Sequence, residues 1–217
     1  ALIGDDGSHS SRYLEVYRRA IEQVDLTARV SGALWWDRER GADQVEELAA
    51  IRARHQHELF RISSVKIMQD GVPENRTAAV LEPYLHPGSG CSSGVAETGI
   101  SFIDPERLRD HVRRLDEEGF QVHFHAIGDR AVRECLDAVA AARDTNEASG
   151  PTHHIAHVQI VHPDDVPRFR RLRVAANIQP LWAAYDPQMV ELNLPLLGAE
   201  RAATQYPFAS FDAAGAD

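Results

Sequence analysis

The stretch Asp104-Pro105-Glu106-Arg107-Leu108 onward to Phe120-Gln121-Val122-His123-Phe124-His125-Ala126-Ile127-Gly128-Asp129 contains a complete helix–strand–turn unit, and its reading decides the fold class. Asp104 is a residue type that caps helix N-termini, and Pro105 suits the first helical position, where its missing N–H costs nothing. Leu108, Val112 and Leu115 recur at helical spacing, and Gly119 is placed to end the helix. From Phe120 to His125 apolar and polar residues alternate, which is the period of a strand. Ala126-Ile127-Gly128-Asp129 then turns into a second helix, with Val132, Cys135, Leu136 and Val139 on one face.

Working outward, the same alternation recurs. Arg12 to Val24 reads as a helix, Leu26 to Leu34 as a strand, and Gln44 to Phe60 as a helix. Ser64 to Met68 is a short apolar strand stopped by Asp70-Gly71-Val72-Pro73. A Gly- and Ser-rich loop from His86 to Gly99 surrounds Cys91, and loops that long in a compact domain are usually functional or mobile. Beyond the central unit, His154 to Val158 and Val174 to Ile178 read as strands, with a short helix over Pro163 to Leu172 between them. Crossovers long enough to hold a helix specify parallel strands. The expectation is an α/β fold of five consecutive parallel strands. Periodicity alone fits an open doubly wound sheet or part of an eight-strand barrel.

The chain has 217 residues, enough for one ordinary domain with a real core. Its 33 acidic and 23 basic residues give a formal charge of −10, which disfavours a nucleic-acid partner. Arg18-Arg19, Arg113-Arg114 and the arginines from Arg168 to Arg173 read as solvated helix faces. No apolar run is long enough to span a bilayer and no signal-peptide pattern opens the chain, so no membrane role is expected. Cys91 and Cys135 make no disulfide framework, and a cytoplasmic location is the default.

In a parallel barrel, chemistry sits at the carboxyl ends of the strands. Lys66, His125 and His157 lie near the ends of three consecutive strands and are expected at one level. Neutral imidazoles there suit a metal site, although each histidine taken alone reads more often as polar rim than as a ligand. His123 shares a face with His125 but sits a layer deeper, which favours packing or hydrogen bonding over chelation. His153 and His154 precede their strand's end and read as structural. Lys66 in an apolar strand must be paired, deprotonated or modified, unless it is a surface lysine on an edge strand. Trp35, Trp36 and Trp182 read as core or rim.

Together, Val65-Lys66-Ile67-Met68-Gln69-Asp70-Gly71-Val72, Arg76-Thr77-Ala78, Glu82-Pro83-Tyr84, His125-Ala126-Ile127-Gly128-Asp129-Arg130-Ala131-Val132, Ala156-His157-Val158-Gln159 and Gln179-Pro180-Leu181 resemble amidohydrolase family 3. The best-known activity of that family is N-substituted formamide deformylase. The resemblance runs from about Arg12 to Asp217, and its most specific part is the string from His125 to Ala131. It implies a partial TIM-type (β/α) barrel, about strands three to seven, with residues 1–217 as the central part and the first and last barrel strands missing. It also implies that Lys66 is carboxylated and bridges two metal ions, and that His125 and His157 bind the more buried one, with Zn2+ the expected cation.

The activity implied is hydrolysis of an amide, formamide or cyclic amide bond of a small molecule by a metal-bound hydroxide. Ala156 stands where the family usually has Glu. The family's strand-one His-x-His pair and strand-eight general-base Asp have no match in this sequence. Asp129 is expected to cap its helix and not to act as the base. The chain as cut is therefore expected to be inactive or nearly so, and to self-associate through exposed strand edges. Rival readings are an inactive scaffold or binding fragment, or a deaminase or phosphoesterase on the same barrel.

Overall fold

A computed structural model of the chain describes residues 2–3, 10–85, 97–146 and 150–216. Cys91, most of the loop around it and Asp217 lie outside the described residues. The strands are β1 (Leu2–Ile3), β2 (Val30–Trp35), β3 (Phe60–Met68), β4 (Gln121–Ala126), β5 (His153–His157) and β6 (Val174–Asn177). They form one six-stranded sheet in sequential order, every neighbouring pair parallel, with β1 and β6 as edges. The helices are α1 (Ser10–Glu22), α2 (Gln44–Arg54), α3 (Pro105–Glu117), α4 (Asp129–Thr145), α5 (Val166–Leu172), α6 (Leu194–Ala203) and α7 (Phe208–Ala214). Among the described residues, no helix is long and apolar enough to cross a membrane.

The five expected strands are all present and parallel, and β1 is an addition. Two boundaries move. The helix expected over Gln44 to Phe60 ends at Arg54, and Phe60 opens a strand of nine residues. The chain turns at His57, whose N–H and carbonyl both pair with Phe60. The strand expected from Leu26 begins at Val30, where its N–H first reaches the carbonyl of Leu59.

The central unit forms as its residues dictate. The Asp104 carboxylate accepts from the N–H groups of Glu106 and Arg107, Pro105 opens α3, and Gly119 takes a φ of +75° beyond its end. On the outer face of the sheet, Ile67, Phe124, Ile155 and Ala176 stand side by side in register. With Leu108, Val112, Leu115, Val132 and Leu136 they build the core under the helices. The inner face carries a different row. Trp35, Lys66, His123, His154 and Ala175 are successive ladder partners across five strands.

At the amino ends of the strands, buried His153 accepts from the N–H of Val122 at Nδ1 and so donates from Nε2 to Asp116, 2.9 Å away. Arg143 and Asn146 complete the Asp116 cluster, and His153 has the structural role expected of it. Arg168 departs from the solvated reading of the basic clusters. It is half-buried and pairs with Asp137 and Asp165.

Candidate active site at the strand ends

His125 is the last inward-facing residue of β4. Its Nε2 lies 3.2 Å from the carbonyl of Gly71, an acceptor, so Nε2 carries the proton and Nδ1 keeps its lone pair. His157 reaches the same place by a different route. The ladder pairs it with Ala126, which by alternation would turn it to the helix side. Its φ of +81°, followed by +42° at Val158, places both residues in the left-handed region and swings the imidazole back inward. The two rings end with centroids 4.4 Å apart and interplanar angle 59°.

Lys66 does not lie at the level of His125, as the sequence reading expected. Its ladder partner is His123, and Met68 is the partner of His125, so the lysine stands one row deeper. Only its long side chain can rise toward the histidine pair. It is 8% exposed in a strand flanked on both sides, which removes the edge-strand reading. Burial lowers its pKa to about 8. Burial also holds His125 and His157 down to about 4, helped at His125 by the charges of His157 and Lys66 and at His157 by that of Lys66. Near neutral pH both imidazoles are uncharged and able to donate lone pairs.

The pair opens onto a cavity of 240 Å³, lined also by Glu74, Gln159, Gln179, Trp182 and Tyr206. The Gln179 side chain, its Oε1 buried, reaches the His157 ring and partly offsets the effect of burial on that imidazole. Trp182 is a rim residue, half exposed, whereas Trp36 belongs to the core.

The residue that the sequence reading undervalued is Asp70, taken there as turn chemistry. It is fully buried, and its carboxylate accepts from Ile127 N (3.0 Å), Gly128 N (2.8 Å) and Ala79 N (3.0 Å). It thereby fixes the turn that follows His125, and its Oδ1 lies 3.6 Å from His125 Nε2. The available signal was an acid placed directly after an apolar strand. Gly128 is required in this turn because a Cβ there would meet the Ala79 carbonyl oxygen at 2.0 Å. Asp129 corrects another expectation. Gly128 holds the cap position of α4, and the Asp129 carboxylate accepts from Leu81 N and Arg130 N. It ties the Leu81 loop to the start of the helix.

Comparison with known proteins gives the context of this arrangement. The protein titled exoenzymes regulatory protein AepA, from Pectobacterium carotovorum subsp. carotovorum, is 28% identical over 184 residues, covering 83% of this chain and 37% of that protein. Putative amidohydrolase YtcJ of Bacillus subtilis (strain 168) is 30% identical over 143 residues, covering 66% of this chain and 25% of that protein. The chain thus spans between a quarter and two fifths of the length of these curated relatives. Among solved structures, an uncharacterized metal-dependent hydrolase from Pyrococcus furiosus superposes with a TM-score of 0.70 at 24% identity, over 92% of this chain and 38% of that one. That likeness establishes the fold. The sequence itself matches the amidohydrolase family over residues 3–217, which takes in every strand-end residue described above, and the chain belongs to that family.

Proposed function

We propose that this chain is the central part of a metal-dependent hydrolase that cleaves C–N bonds of small amides, formamides or cyclic amides, in the branch resembling N-substituted formamide deformylase. The observation that carries the reading is the His125–His157 pair: two neutral imidazoles, 4.4 Å apart, at the carboxyl ends of neighbouring strands and on a cavity.

These donors suit a divalent cation, Zn2+ in our reading. Nδ1 of His125 is free to donate, and a depressed pKa keeps both rings in the ligating form. Such a cation, when bound, polarises a carbonyl and acidifies water. Lys66 contributes through its amine. An ammonium would repel the cation, but a pKa near 8 leaves a neutral fraction that can take up CO2 as a carbamate, an anionic oxygen donor. Gln159, Gln179, Trp182 and Tyr206 wall the cavity. The general base is assigned to an aspartate beyond these residues, as the family resemblance implies.

A second reading, that the chain alone binds without catalysing, is favoured by one observation. Among the described residues no three His, Cys, Asp or Glu side chains gather into a metal cage. The test of both is metal analysis of the chain and of its full-length parent, with N-formyl, N-acyl and cyclic amide substrates before and after chelation. The hydrolase reading expects robust turnover from the parent, abolished by chelation and by His125→Ala, and at most trace turnover from the chain. Parent turnover indifferent to both treatments would overturn it.

A further inference from the structure

We propose that His123 and His154 form a second divalent-cation site, on the inner face of the sheet and one row below the His125–His157 pair. The two residues are direct ladder partners on β4 and β5, and their ring centroids lie 4.1 Å apart at an interplanar angle of 57°. Lateral neighbours in a parallel sheet share a face, so both imidazoles point to the side that carries Lys66.

The row is chemically odd. Lys66, His123 and His154 stand side by side, and the row's remaining members are Trp35 and Ala175. Three nitrogen bases thus share a half-buried layer in which no acid is a ladder partner. The His154 Nε2 is buried and has no hydrogen-bond partner among the described residues. Leaving such a group unsatisfied costs about 1–3 kcal/mol, and native interiors rarely tolerate it without a ligand or water to fill the place. A structural role alone, which the sequence favoured for His154, leaves that nitrogen unexplained.

A cation accounts for the whole arrangement. Both rings are held side by side by the β4–β5 ladder, and the His154 Nε2 is left without a protein partner among the described residues, placed to ligate. Two imidazole donors select borderline cations such as Cu2+, Ni2+ and Zn2+ over Mg2+ or Ca2+. The two imidazoles do not depend on the hydrolase reading, because neither His125 nor His157 belongs to them and Lys66, which that reading gives to the upper pair, is not needed here.

The test titrates chelator-stripped chain with Cu2+, following heat and the electron paramagnetic resonance signature of imidazole nitrogen. In a His125→Ala/His157→Ala background, Cu2+ binding with two-imidazole coupling persists. Adding His123→Gln or His154→Gln then weakens it by about tenfold or more. In the converse background, His123→Gln/His154→Gln, the upper pair keeps its ion. Should a variant fail to fold, 1H–15N spectra of the histidine side chains in the unaltered chain decide the matter. Zn2+ then shifts the nitrogens of His123 and His154 together. Equal Cu2+ binding with and without His123 and His154, or nitrogens that Zn2+ leaves unmoved, would overturn the proposal. Loss of binding only at His125 and His157 would instead bear on the hydrolase reading.

Discussion

The imidazole of His157 lies 4.4 Å from that of His125, although the ladder pairs His157 with Ala126. The left-handed backbone at His157 makes this meeting, and such a conformation costs about 1–3 kcal/mol in a residue that bears a Cβ. Asn tolerates that region and β-branched residues do not. His157→Asn is therefore expected to keep close to native stability, while His157→Val loses about 1–3 kcal/mol more. Urea denaturation of both variants checks this. Equal stabilities would show that the backbone conformation is not held by the site.

Asp70 holds three backbone N–H groups, from Ala79, Ile127 and Gly128. Asp70→Ala would orphan all three in a buried turn and is expected to cost about 3 kcal/mol or more. Asp70→Asn keeps one oxygen acceptor and should cost less. Chemical denaturation gives both numbers, and a near-neutral Asp70→Ala would remove Asp70 as the organiser of the His125 turn.

Four inward histidines have lowered pKa values, first through burial: His123 to about 3, and His125, His154 and His157 to about 4. Between these values and the unfolded value of about 6.5, the unfolded chain binds protons that the folded chain does not, so stability rises with pH in that window. Asp70, pushed up to about 7 by burial, and Asp129, also raised by burial, work in the opposite direction, against these four histidines together with His111 and His153, which burial also lowers. Acidification from pH 6.5 to 4 in the presence of a chelator is expected to lower the urea midpoint, and His123→Gln/His154→Gln should flatten the curve. A midpoint that rises on acidification would sink this account.

Lys66 is buried without an acidic partner among its ladder neighbours, and its ammonium pays a desolvation cost. Lys66→Met is expected to stabilise the chain by about 1–3 kcal/mol at pH 7. In the full-length parent, Lys66→Ala should abolish hydrolysis, and short carboxylic acids should restore part of it by supplying the missing oxygen donor. A fully active Lys66→Ala parent would make the lysine structural and remove it from the site.

Leu181, Trp182 and Tyr185 are 84%, 57% and 78% exposed just beyond β6, which pairs on one side only. An apolar patch beside a strand edge is where copies of the chain are expected to associate. Sedimentation velocity is expected to show concentration-dependent self-association, reduced by Leu181→Lys/Trp182→Lys. A monomer at all concentrations would refute it.

Local sequence determined most of the architecture. Asp104-Pro105, the stripe of Leu108, Val112 and Leu115, and Gly119 fixed α3, because capping, helical spacing and a left-handed glycine are all written within one turn or two. The alternation from Phe120 to His125 fixed β4 and the face of its two histidines. The ordered strings around Lys66, His125 and His157 identified the family, since they carry chemistry at recognisable spacing. Three things were decided only by the tertiary structure. Register put Lys66 opposite His123, because lateral alignment depends on how whole strands pack and not on where each ends. The positive φ at His157 turned a residue from one face to the other, which no two-residue period can encode. And Asp70 became a buried anchor for a turn 57 residues away, because its partners are backbone N–H groups, present at nearly every position and therefore invisible in sequence.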